Sequence, residues 1–445
     1  MTPDLIAKYS TPVPRYTSYP TAPNFSKGVN GDIFSYWLNK LPEMAALSLY
    51  THVPFCHELC WYCGCNTKAT RKYTPVGDYV TNVLREIEKV AGAVPNSALV
   101  HHLHWGGGSP NILSARDIYR LSNALRRGFS FSKAAEFAIE VDPRWHTPCQ
   151  TLAFLSAGVT RVSVGVQDFD ERVQAAINRK QSFEQTKSVI DGFRNGGVQS
   201  INIDLVYGLP NQTRATVKKT IEKVIELQPD RIALFGYAHL PQRLPQQRLI
   251  KTNELPNSVE RFAQAKRLAY RLTEVGYVRV GLDHFARVDD PMVVDGARRN
   301  FQGYTNDAAD ALIGLGASAI SQLPQGFAQN ATAAADYARR IQDSGLATVR
   351  GHEMNMDDHM RAFVIEKLMC DLEFSSRSIV QRFGDAAIPL VQAAKNVMDS
   401  DVDGLVNPTL DGFKVTDKGR PFVRWLAAWF DAYLDHTPAQ FSSGI

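Results

Sequence analysis

From about residue 47 onward, the chain alternates short runs of β-branched and apolar residues with stretches that have the periodicity of amphipathic helices. This alternation is typical of repeated strand–helix units, whose strands pair side by side in a parallel sheet. We therefore predict an α/β fold built as a (β/α) barrel. The strands are expected near 47–53, 98–105, 136–142, 160–166, 200–206, 230–236 and 277–283.

Polar or reactive residues follow nearly every predicted strand. In a (β/α) barrel the carboxyl ends of the strands converge on one mouth, where enzymes of this fold carry out their chemistry. A single polar residue often does no more than mark the end of a strand, but a whole ring of them favours an active site. The ring comprises a cysteine-rich loop after the first strand, then Gly106, Gly107 and Gly108, Glu140 and Asp142, Gln167 and Asp168, Asp204, Tyr237 and His239, and Asp283 and His284.

Two segments lie outside the repeat. Residues 1–45 contain the irregular sequence PRYTSYPTAPNF, which we interpret as an arm packed over the barrel or across its mouth. From about residue 346 the pattern becomes helical, the pair Asp411-Gly412 predicts a tight hairpin, and a helix is expected from Thr416 towards Leu434. We therefore predict an N-terminal arm (1–45), a barrel with its extension (46–345), and a mainly helical, winged-helix-like C-terminal domain (346–445).

The loop after the first strand carries Cys56, Cys60 and Cys63 at the spacing C-x3-C-x2-C. Thiolates are soft ligands that suit iron–sulfur clusters or zinc, and structural zinc usually takes four ligands from paired motifs. No second such motif follows downstream, and the spacing differs from that of four-cysteine ferredoxins. We favour a cluster held by three cysteines with one open iron over a zinc site or inert thiols, although Cys65 could also act as a fourth ligand.

The overall composition is that of an ordinary soluble protein. Lys and Arg number 49 against 45 Asp and Glu, and the basic pairs are scattered, so no nucleic-acid-binding stripe is indicated. Four of the six cysteines fall within ten residues, which suits a metal site in a reducing compartment better than a disulfide framework. No signal peptide and no apolar run of about 20 residues is present, so we predict a cytoplasmic protein without membrane association.

Several motifs together resemble those of a known family. The cysteine loop is similar to that of the radical S-adenosylmethionine (SAM) enzymes, and the fuller set resembles the bacterial oxygen-independent coproporphyrinogen III oxidases over nearly the whole chain. The motifs are PRYTSYPTA at 14–22, HVPFCHELCWYCGCN at 52–66, HWGGGSP at 104–110, IEVDPR at 139–144, GVQDF at 165–169, NIDLVYGLP at 202–210, YAHLP at 237–241, DHFAR at 283–287 and NFQGY at 300–304.

This resemblance implies a partial (β/α) radical SAM barrel and a defined reaction. Cys56, Cys60 and Cys63 are expected to hold a 4Fe–4S cluster whose open iron binds SAM. An electron from the cluster would cleave SAM, and the 5'-deoxyadenosyl radical would start the conversion of two propionates of coproporphyrinogen III to vinyl groups. The product would be protoporphyrinogen IX, for haem synthesis. The cofactor carries the difficult chemistry, and the protein positions it.

Further roles follow from the same resemblance. The residues expected to bind SAM are Tyr50, Tyr62, Gly107, Gly108, Ser109, Glu140, Gln167, Arg179, Asp204, Ala238, Gln302 and Ile320. Of these, Gln302 and Ile320 fall where a second SAM molecule is expected. Arg15, Tyr16 and Arg287 are the substrate-binding candidates, since arginine pairs with carboxylates through two hydrogen bonds. Tyr19 and Cys65 are the catalytic candidates.

Other outcomes are compatible with the same barrel motifs. A radical SAM paralogue could carry out methyl transfer, cyclopropanation or haem breakdown, and a related haem chaperone would bind haem without turnover. The sequence PRYTSYPTA, Cys65 and DHFAR favour the coproporphyrinogen reaction. The expected partners are the substrate and a reductant such as flavodoxin or ferredoxin, and we expect a monomer that binds no nucleic acid.

Overall fold

We describe the fold from a computed structural model, which covers residues 1–436 and 441. The strands are β1 (Ala46–Val53), β2 (Phe55–Cys56), β3 (Lys68–Ala69), β4 (Leu99–Gly107), β5 (Ser130–Val141), β6 (Arg161–Gln167), β7 (Ser200–Tyr207), β8 (Arg231–Gly236), β9 (Val278–Val280), β10 (His284–Ala286), β11 (Arg298–Asn300), β12 (Gly303–Thr305), β13 (Ala311–Leu315), β14 (Ile320–Leu323), β15 (Gly326–Asn330), β16 (Thr348–Glu353), β17 (Glu373–Ser375), β18 (Val406–Thr409) and β19 (Gly412–Val415).

The helices follow the strands in the expected alternation through the first half of the chain. They are α1 (Pro3–Lys8), α2 (Gly31–Asn39), α3 (Thr74–Ala91), α4 (Ala115–Gly128), α5 (Pro148–Ala157), α6 (Glu171–Ala176), α7 (Phe183–Asn195), α8 (Arg214–Glu226), α9 (Ser258–Glu274), α10 (Pro291–Val294), α11 (Ala334–Ser344), α12 (Met356–Asp371), α13 (Ser376–Phe383), α14 (Ile388–Ser400) and α15 (Val423–Ala428).

A twelve-stranded sheet forms the body of the molecule. Its order is β16-β15-β14-β13-β1-β4-β5-β6-β7-β8-β10-β9, and the six strands from β1 to β8 in this order run parallel. The sheet ends at β16 and β9, so it is a partial barrel rather than a closed one. The predicted α/β class and the first six predicted strands are therefore confirmed.

Along each parallel strand, the side chains point alternately to the core beneath the helices and to the interior of the barrel. In β6, Val162, Val164 and Val166 are completely buried, whereas the intervening Ser163 and Gln167 line the internal cavity. Successive side chains of a strand point to opposite faces, so one row packs against the helices and the other faces inward. The helices supply the matching apolar stripe. In α4, Ser114 caps the first turn and Ile118 is buried, as the sequence predicted.

The parallel pairing predicted for the seventh strand is wrong. The segment expected at 277–283 contains only the short β9, and the chain then turns into β10, which pairs antiparallel with both β9 and β8. Gly281 lies in this turn with a φ of 51°, in the left-handed region that glycine adopts readily. Asp283 and His284 therefore belong to the turn and to β10, rather than to the carboxyl end of a parallel strand.

Four strands that the sequence analysis did not anticipate extend the other side of the sheet. β13 pairs parallel with β1, and β14, β15 and β16 continue as an antiparallel meander. Because β16 (Thr348–Glu353) belongs to this sheet, the sheet extends past residue 345. The exact division of the chain into three regions stays a prediction.

The two terminal segments pack against each other. Tyr16 and Tyr19 of the N-terminal segment belong to an apolar cluster with α12, α14 and α15. The hairpin predicted at Asp411-Gly412 is present as β18 and β19, and β17 completes a small antiparallel sheet. The helix expected from Thr416 to Leu434 is shorter than predicted, since α15 spans only Val423–Ala428 and is flanked by 3-10 turns.

Among the residues that the structure describes, none of the helices combines the length and apolar character that a bilayer crossing requires.

Candidate active site

A cavity of about 870 Å³ opens at the carboxyl ends of the parallel strands. It is lined by the cysteine loop, by the glycines at the end of β4, and by inward-facing residues of β5, β6 and β7. The N-terminal segment contributes Arg15, Tyr16 and Thr17 to the lining of the cavity. This part of the arm therefore lies across the mouth, which is one of the two placements that the sequence predicted. The predicted convergence of the strand ends on one site is therefore present in the fold.

The three cysteines line one side of this cavity. Cys56 ends β2, and its sulfur is 3.2 Å from the Thr67 hydroxyl and 3.6 Å from that of Ser109. The backbone N–H of Cys65 donates to the sulfur of Cys63 over 3.4 Å. Hydrogen bonding from the Cys65 side chain, opposed by burial, lowers the pKa of the Cys63 thiol to about 7. The structure thus places Cys65 as a hydrogen-bond donor to Cys63.

Two arginines converge on Cys60. Arg144 Nη2 lies 3.3 Å and Arg179 Nη1 3.4 Å from the Cys60 sulfur. Both guanidinium groups also pair with Asp142, at 2.7 Å for Arg144 and 3.2 Å for Arg179. Burial works against ionisation of Asp142, but the charge of Arg179 and the hydrogen bonds from Arg144 lower its pKa to about 2. The sequence analysis noted Asp142 but did not name Arg144, although the motif IEVDPR contains it.

The donor set fits a cluster better than a single metal ion. In the described residues, no group of three or more His, Cys, Asp or Glu side chains is arranged to hold one metal ion. In an iron–sulfur cube each cysteine binds a different iron, so the sulfurs surround a larger volume than the ligands of one zinc ion do. Three free thiols of one loop line the same cavity, and thiolates are the soft ligands that iron–sulfur clusters take.

The glycines at the end of β4 allow close backbone approach beside the cysteine loop. A Cβ atom at Gly108 would stand 2.5 Å from the carbonyl oxygen of Phe55, and one at Gly107 would stand 2.5 Å from the His52 ring. Gly107 also has a φ of 110°, which disfavours residues with a side chain. The strand end can therefore lie against the loop only because these positions lack side chains.

Glu140 at the end of β5 faces the same glycines. Its carboxylate accepts a hydrogen bond from the backbone N–H of Gly107 at 3.1 Å and contacts His104 Nε2 at 3.2 Å. Burial raises the pKa of this carboxyl, but the contact with His104 and the N–H of Gly107 outweigh burial and hold the pKa below its usual value. Glu140 is therefore an anionic acceptor within the cavity at neutral pH.

Comparison with known proteins identifies the family. A sequence profile of the Radical SAM superfamily matches residues 50–224. The oxygen-independent coproporphyrinogen III oxidase of Bradyrhizobium diazoefficiens is 44% identical over 440 residues, which is 98% of each chain. That of Pseudomonas aeruginosa is 38% identical over 97% of this chain and 95% of the other. The chain belongs to the oxygen-independent coproporphyrinogen III oxidase family.

The fold agrees with this family. The structure of coproporphyrinogen III oxidase from Escherichia coli, described as a radical SAM enzyme, matches with a TM-score of 0.90 at 38% identity, over 94% of this chain and 98% of that chain. The resemblance indicated by the sequence motifs is confirmed. As a radical SAM oxidoreductase, the protein belongs to an enzyme class that uses SAM together with a 4Fe–4S cluster.

Most of the residues that the family resemblance suggested line the cavity. They are Arg15, Tyr16, Cys56, Cys60, Tyr62, Cys63, Cys65, Gly107, Gly108, Ser109, Glu140, Gln167, Arg179, Asp204, Ala238, Gln302 and Ile320. Tyr50 lines an adjoining cavity instead, where its hydroxyl lies 3.0 Å from His52 Nδ1. Their roles toward SAM and the substrate remain predictions of the oxidase family assignment.

Asp204 on β7 is a buried carboxyl in the barrel interior. Its oxygens accept hydrogen bonds from Ser163 at 3.0 Å and from Asn202 at 2.8 Å. Burial and the negative charge of Glu140 together raise its pKa from 3.8 to about 6. Two carboxyls at the same site therefore differ in character, since Glu140 ionises readily and Asp204 holds its proton to a higher pH.

Two candidates from the sequence do not reach the cavity. Arg287 follows β10, whose antiparallel direction carries it to the amino end of β8, where its Nη2 donates to the carbonyl of Gln228 at 3.2 Å. Tyr19 lies in the apolar cluster of the C-terminal region, and its hydroxyl accepts the backbone N–H of Ala432 at 2.9 Å. Neither side chain is among the described residues that line the cavity, and the substrate role of Arg287 and the catalytic role of Tyr19 stay predictions.

Proposed function

We propose that this protein converts two propionate side chains of coproporphyrinogen III to vinyl groups by oxygen-independent oxidative decarboxylation, giving protoporphyrinogen IX for haem biosynthesis. The observation that carries the proposal is that three cysteines of one loop line the mouth cavity of a partial barrel. Similarity to named oxidases over 98% of the chain supports the same substrate.

In this proposal, Cys56, Cys60 and Cys63, which line the cavity, would hold the cluster, and SAM would bind beside it. When bound, the cluster and SAM supply the 5'-deoxyadenosyl radical that takes a hydrogen atom from the β-carbon of a propionate. The buried arginines beside Cys60 place positive charge within 3.4 Å of its sulfur. The cluster site is therefore electrostatically prepared by residues outside the cysteine motif.

SAM carries an ammonium and a carboxylate, and the cavity offers partners of both kinds. Glu140 is ionised and accepts hydrogen bonds, so it suits the ammonium group. Backbone groups at Gly107 and Gly108 can approach the methionine part closely because no side chain intervenes. Gln302 and Ile320 line both this cavity and the adjoining one, and a second SAM molecule is placed there in the proposal.

Each conversion removes one hydrogen atom, one molecule of carbon dioxide and one electron from a propionate. The chain's part is to hold the propionate in line with SAM and to keep water and oxygen away from the reacting carbon. The arm residues Arg15, Tyr16 and Thr17 lie over the mouth and suit this covering role. A flavodoxin or ferredoxin is the proposed source of the reducing electron, and the proposed active form is a monomer.

The test is an anaerobic assay of the reconstituted protein with SAM, a low-potential reductant and coproporphyrinogen III. We expect 5'-deoxyadenosine, methionine, carbon dioxide and protoporphyrinogen IX, with no porphyrinogen product when SAM is omitted. Cleavage of SAM without decarboxylation would contradict the substrate assignment and leave the radical SAM class intact. Tight binding of haem without any SAM cleavage would instead favour a haem chaperone.

A further inference from the structure

A second cavity, of about 1320 Å³, adjoins the cluster cavity on the side of the C-terminal region. It lies between α9, the turn that joins β9 to β10, and the segment that leads into α15. Six arginines from distant parts of the sequence line it, and we name this cavity the arginine chamber. They are Arg15, Arg261, Arg279, Arg299, Arg420 and Arg424.

Positive charge dominates the lining of the arginine chamber. Lys266 and Lys418 add to the six arginines, whereas the carboxylates among its described lining residues are those of Glu140, Asp283 and Asp417. Glu140 already contacts His104, and Asp283 is 2.8 Å from its neighbour His284. The chamber therefore carries a cationic excess that its own acidic residues do not balance.

Arg299 and Arg420 are oriented by neutral backbone carbonyls. Arg420 donates through Nε to Gly281 at 2.8 Å and through Nη2 to Arg279 at 3.1 Å. Arg299 donates in the same way to Tyr16 at 3.1 Å and to Arg15 at 3.2 Å. A carbonyl fixes the direction of a guanidinium group but leaves its charge unneutralised, so further N–H donors remain for an anion.

Four of these arginines lack a carboxylate partner within the described chain. No ion pair within 4.0 Å involves Arg15, Arg279, Arg299 or Arg420 where the structure describes the side chains. The Nε of Arg279 is also buried without a hydrogen-bond partner. Burial, and after it the charge of Arg279, lowers the pKa of Arg420 to about 10.

The chamber adjoins the cluster cavity. Arg15, Gly236, Tyr237 and Gln302 line both, so a ligand that contacts these residues lies at the boundary between the two cavities. A propionate that reaches the cluster cavity leaves the remaining carboxylates of the same macrocycle on the far side. Arginine forks that are fixed in direction and not neutralised match carboxylates of this kind.

We propose that the arginine chamber binds the propionates of the substrate that are not reacting, with Arg279 and Arg420 as its central pair. The proposal deepens the function proposed above and rests on it. It makes the chamber the feature that selects tetrapyrroles by their number of carboxylates. It also implies that the tricarboxylate intermediate is retained between the two decarboxylations by the same arginines.

The test compares porphyrin binding by the reconstituted holoenzyme and its variants under anaerobic conditions. Fluorescence titration with coproporphyrin III, which carries four propionates, and with protoporphyrin IX, which carries two, measures the selectivity. Replacing either arginine, in Arg279→Gln or Arg420→Gln, is expected to weaken coproporphyrin III binding about tenfold or more. Protoporphyrin IX keeps the two propionates that do not react, so its binding is expected to weaken as well, whereas binding of etioporphyrin III, which carries no carboxylate, is expected to change by less than about threefold. During turnover, the variants are expected to release more of the tricarboxylate intermediate.

Several controls separate charge from folding. Arg420→Lys keeps a cation and is expected to recover part of the affinity, while the exposed Lys266→Gln tests the chamber rim without removing a backbone contact. Arg172→Gln on α6, whose side chain is 74% exposed, is the matched control with wild-type binding expected. Cluster absorption and far-ultraviolet circular dichroism must match those of the wild type in every variant compared.

The outcomes also separate this proposal from the proposed function. If both glutamine variants bind coproporphyrin III as tightly as the wild type while the wild type turns over, the chamber assignment is overturned and the function stands. If the wild type fails to decarboxylate coproporphyrinogen III yet the variants lose carboxylate-dependent binding, the substrate assignment is wrong and the anion site stands.

Discussion

The two ends of the active-site region treat buried charge in opposite ways. At the cluster end, the carboxylate of Asp142 lies between Arg144 and Arg179, and all three groups are paired within the protein. In the arginine chamber, Arg299 and Arg420 are held by backbone carbonyls instead. The first arrangement pairs its arginines with a carboxylate of the protein, whereas the second leaves charge that an anionic ligand can neutralise.

This difference matches how long the ligand proposed for each end stays bound. A cluster stays bound through many turnovers, so its surroundings gain from internal ion pairs that keep the loop in one geometry. A substrate must leave, so its site gains from donors that are fixed in direction but paired only when it is present. The comparison predicts that changes at the cluster end affect cofactor assembly and stability, and that changes in the chamber affect affinity.

Removal of a cluster ligand is expected to have the largest effect. In Cys60→Ala, the loss of one of three proposed thiolate ligands should abolish 5'-deoxyadenosine formation and lower the iron content after anaerobic reconstitution. Cys149→Ala is the matched control, because Cys149 is exposed and lies on α5 away from the cavity lining. Full SAM cleavage by Cys60→Ala would refute the assignment of the three cysteines.

The second-largest effect is expected from breaking an ion pair beside the cysteines, which should lower the stability of the protein. Arg179→Met leaves the buried Asp142 with one arginine instead of two, and breaking a buried ion pair typically costs about 3–5 kcal/mol. Urea unfolding measures this loss, with Arg172→Met as the exposed control expected to stay within about 0.5 kcal/mol of the wild type. A loss below about 1 kcal/mol would show that Arg144 alone neutralises Asp142.

The raised pKa of the buried Asp204 predicts that the free energy of unfolding depends on pH. Because its pKa is about 6 in the folded chain and near 3.8 when exposed, the folded state binds more protons between these values. The free energy of unfolding contributed by this group therefore falls as pH rises from about 4 to 6, by about 3 kcal/mol in total. Above pH 7 the buried charge remains as a cost.

Replacing this carboxyl isolates the effect from other titrating groups. Asp204→Asn keeps a polar side chain of the same size but cannot ionise, so its stability relative to the wild type should rise between pH 4 and 7. Urea denaturation at several pH values provides the comparison. A constant difference between variant and wild type across this range would show that Asp204 titrates normally in the folded protein.

Much of the barrel could be predicted because its signals are local. The six strands from β1 to β8 carry runs of β-branched residues, and helices such as α4 combine a cap with an apolar stripe. The short β9 carries no such information about its partner. Whether it continues as a parallel strand depends on the turn at Gly281 and on the free edge of β8, which are tertiary properties.

The active site likewise has one part that local sequence motifs predict and another part that they do not. The cysteine loop and the glycines at the end of β4 are contiguous motifs, and the structure brings them together as the sequence suggested. The arginine chamber has no such signature, since its members lie between residues 15 and 424 and look like scattered surface charges. Only the folded chain shows that they share a cavity, and of the six arginines the sequence motifs indicated Arg15 alone.

Arg15 and Arg287 test whether the sequence motifs or the fold better identify the arginines that bind the substrate, because the sequence predicted this role for both. The expected effects are the smallest of those predicted. Arg15 lines both cavities, and its Nη2 is held by the carbonyl of Gly236 at 3.2 Å. Arg287 is 44% exposed at the opposite end of the strands, 3.6 Å from Asp230. Arg15→Gln is therefore expected to raise the KM for coproporphyrinogen III about fivefold with little change in kcat, as for one solvent-accessible charged hydrogen bond.

Arg287→Gln is expected to leave both constants within about twofold of the wild type, since exposed ion pairs contribute about 0–1 kcal/mol and this one is far from the cavity. Steady-state kinetics of the two variants under identical anaerobic conditions decides between the sequence pattern and the fold. Equal increases in KM would mean that the surface charge acts over a distance, and raising the salt concentration would then abolish both. An effect confined to Arg15 that persists at high salt places the substrate's carboxylates at the mouth, on the side where the arginine chamber begins.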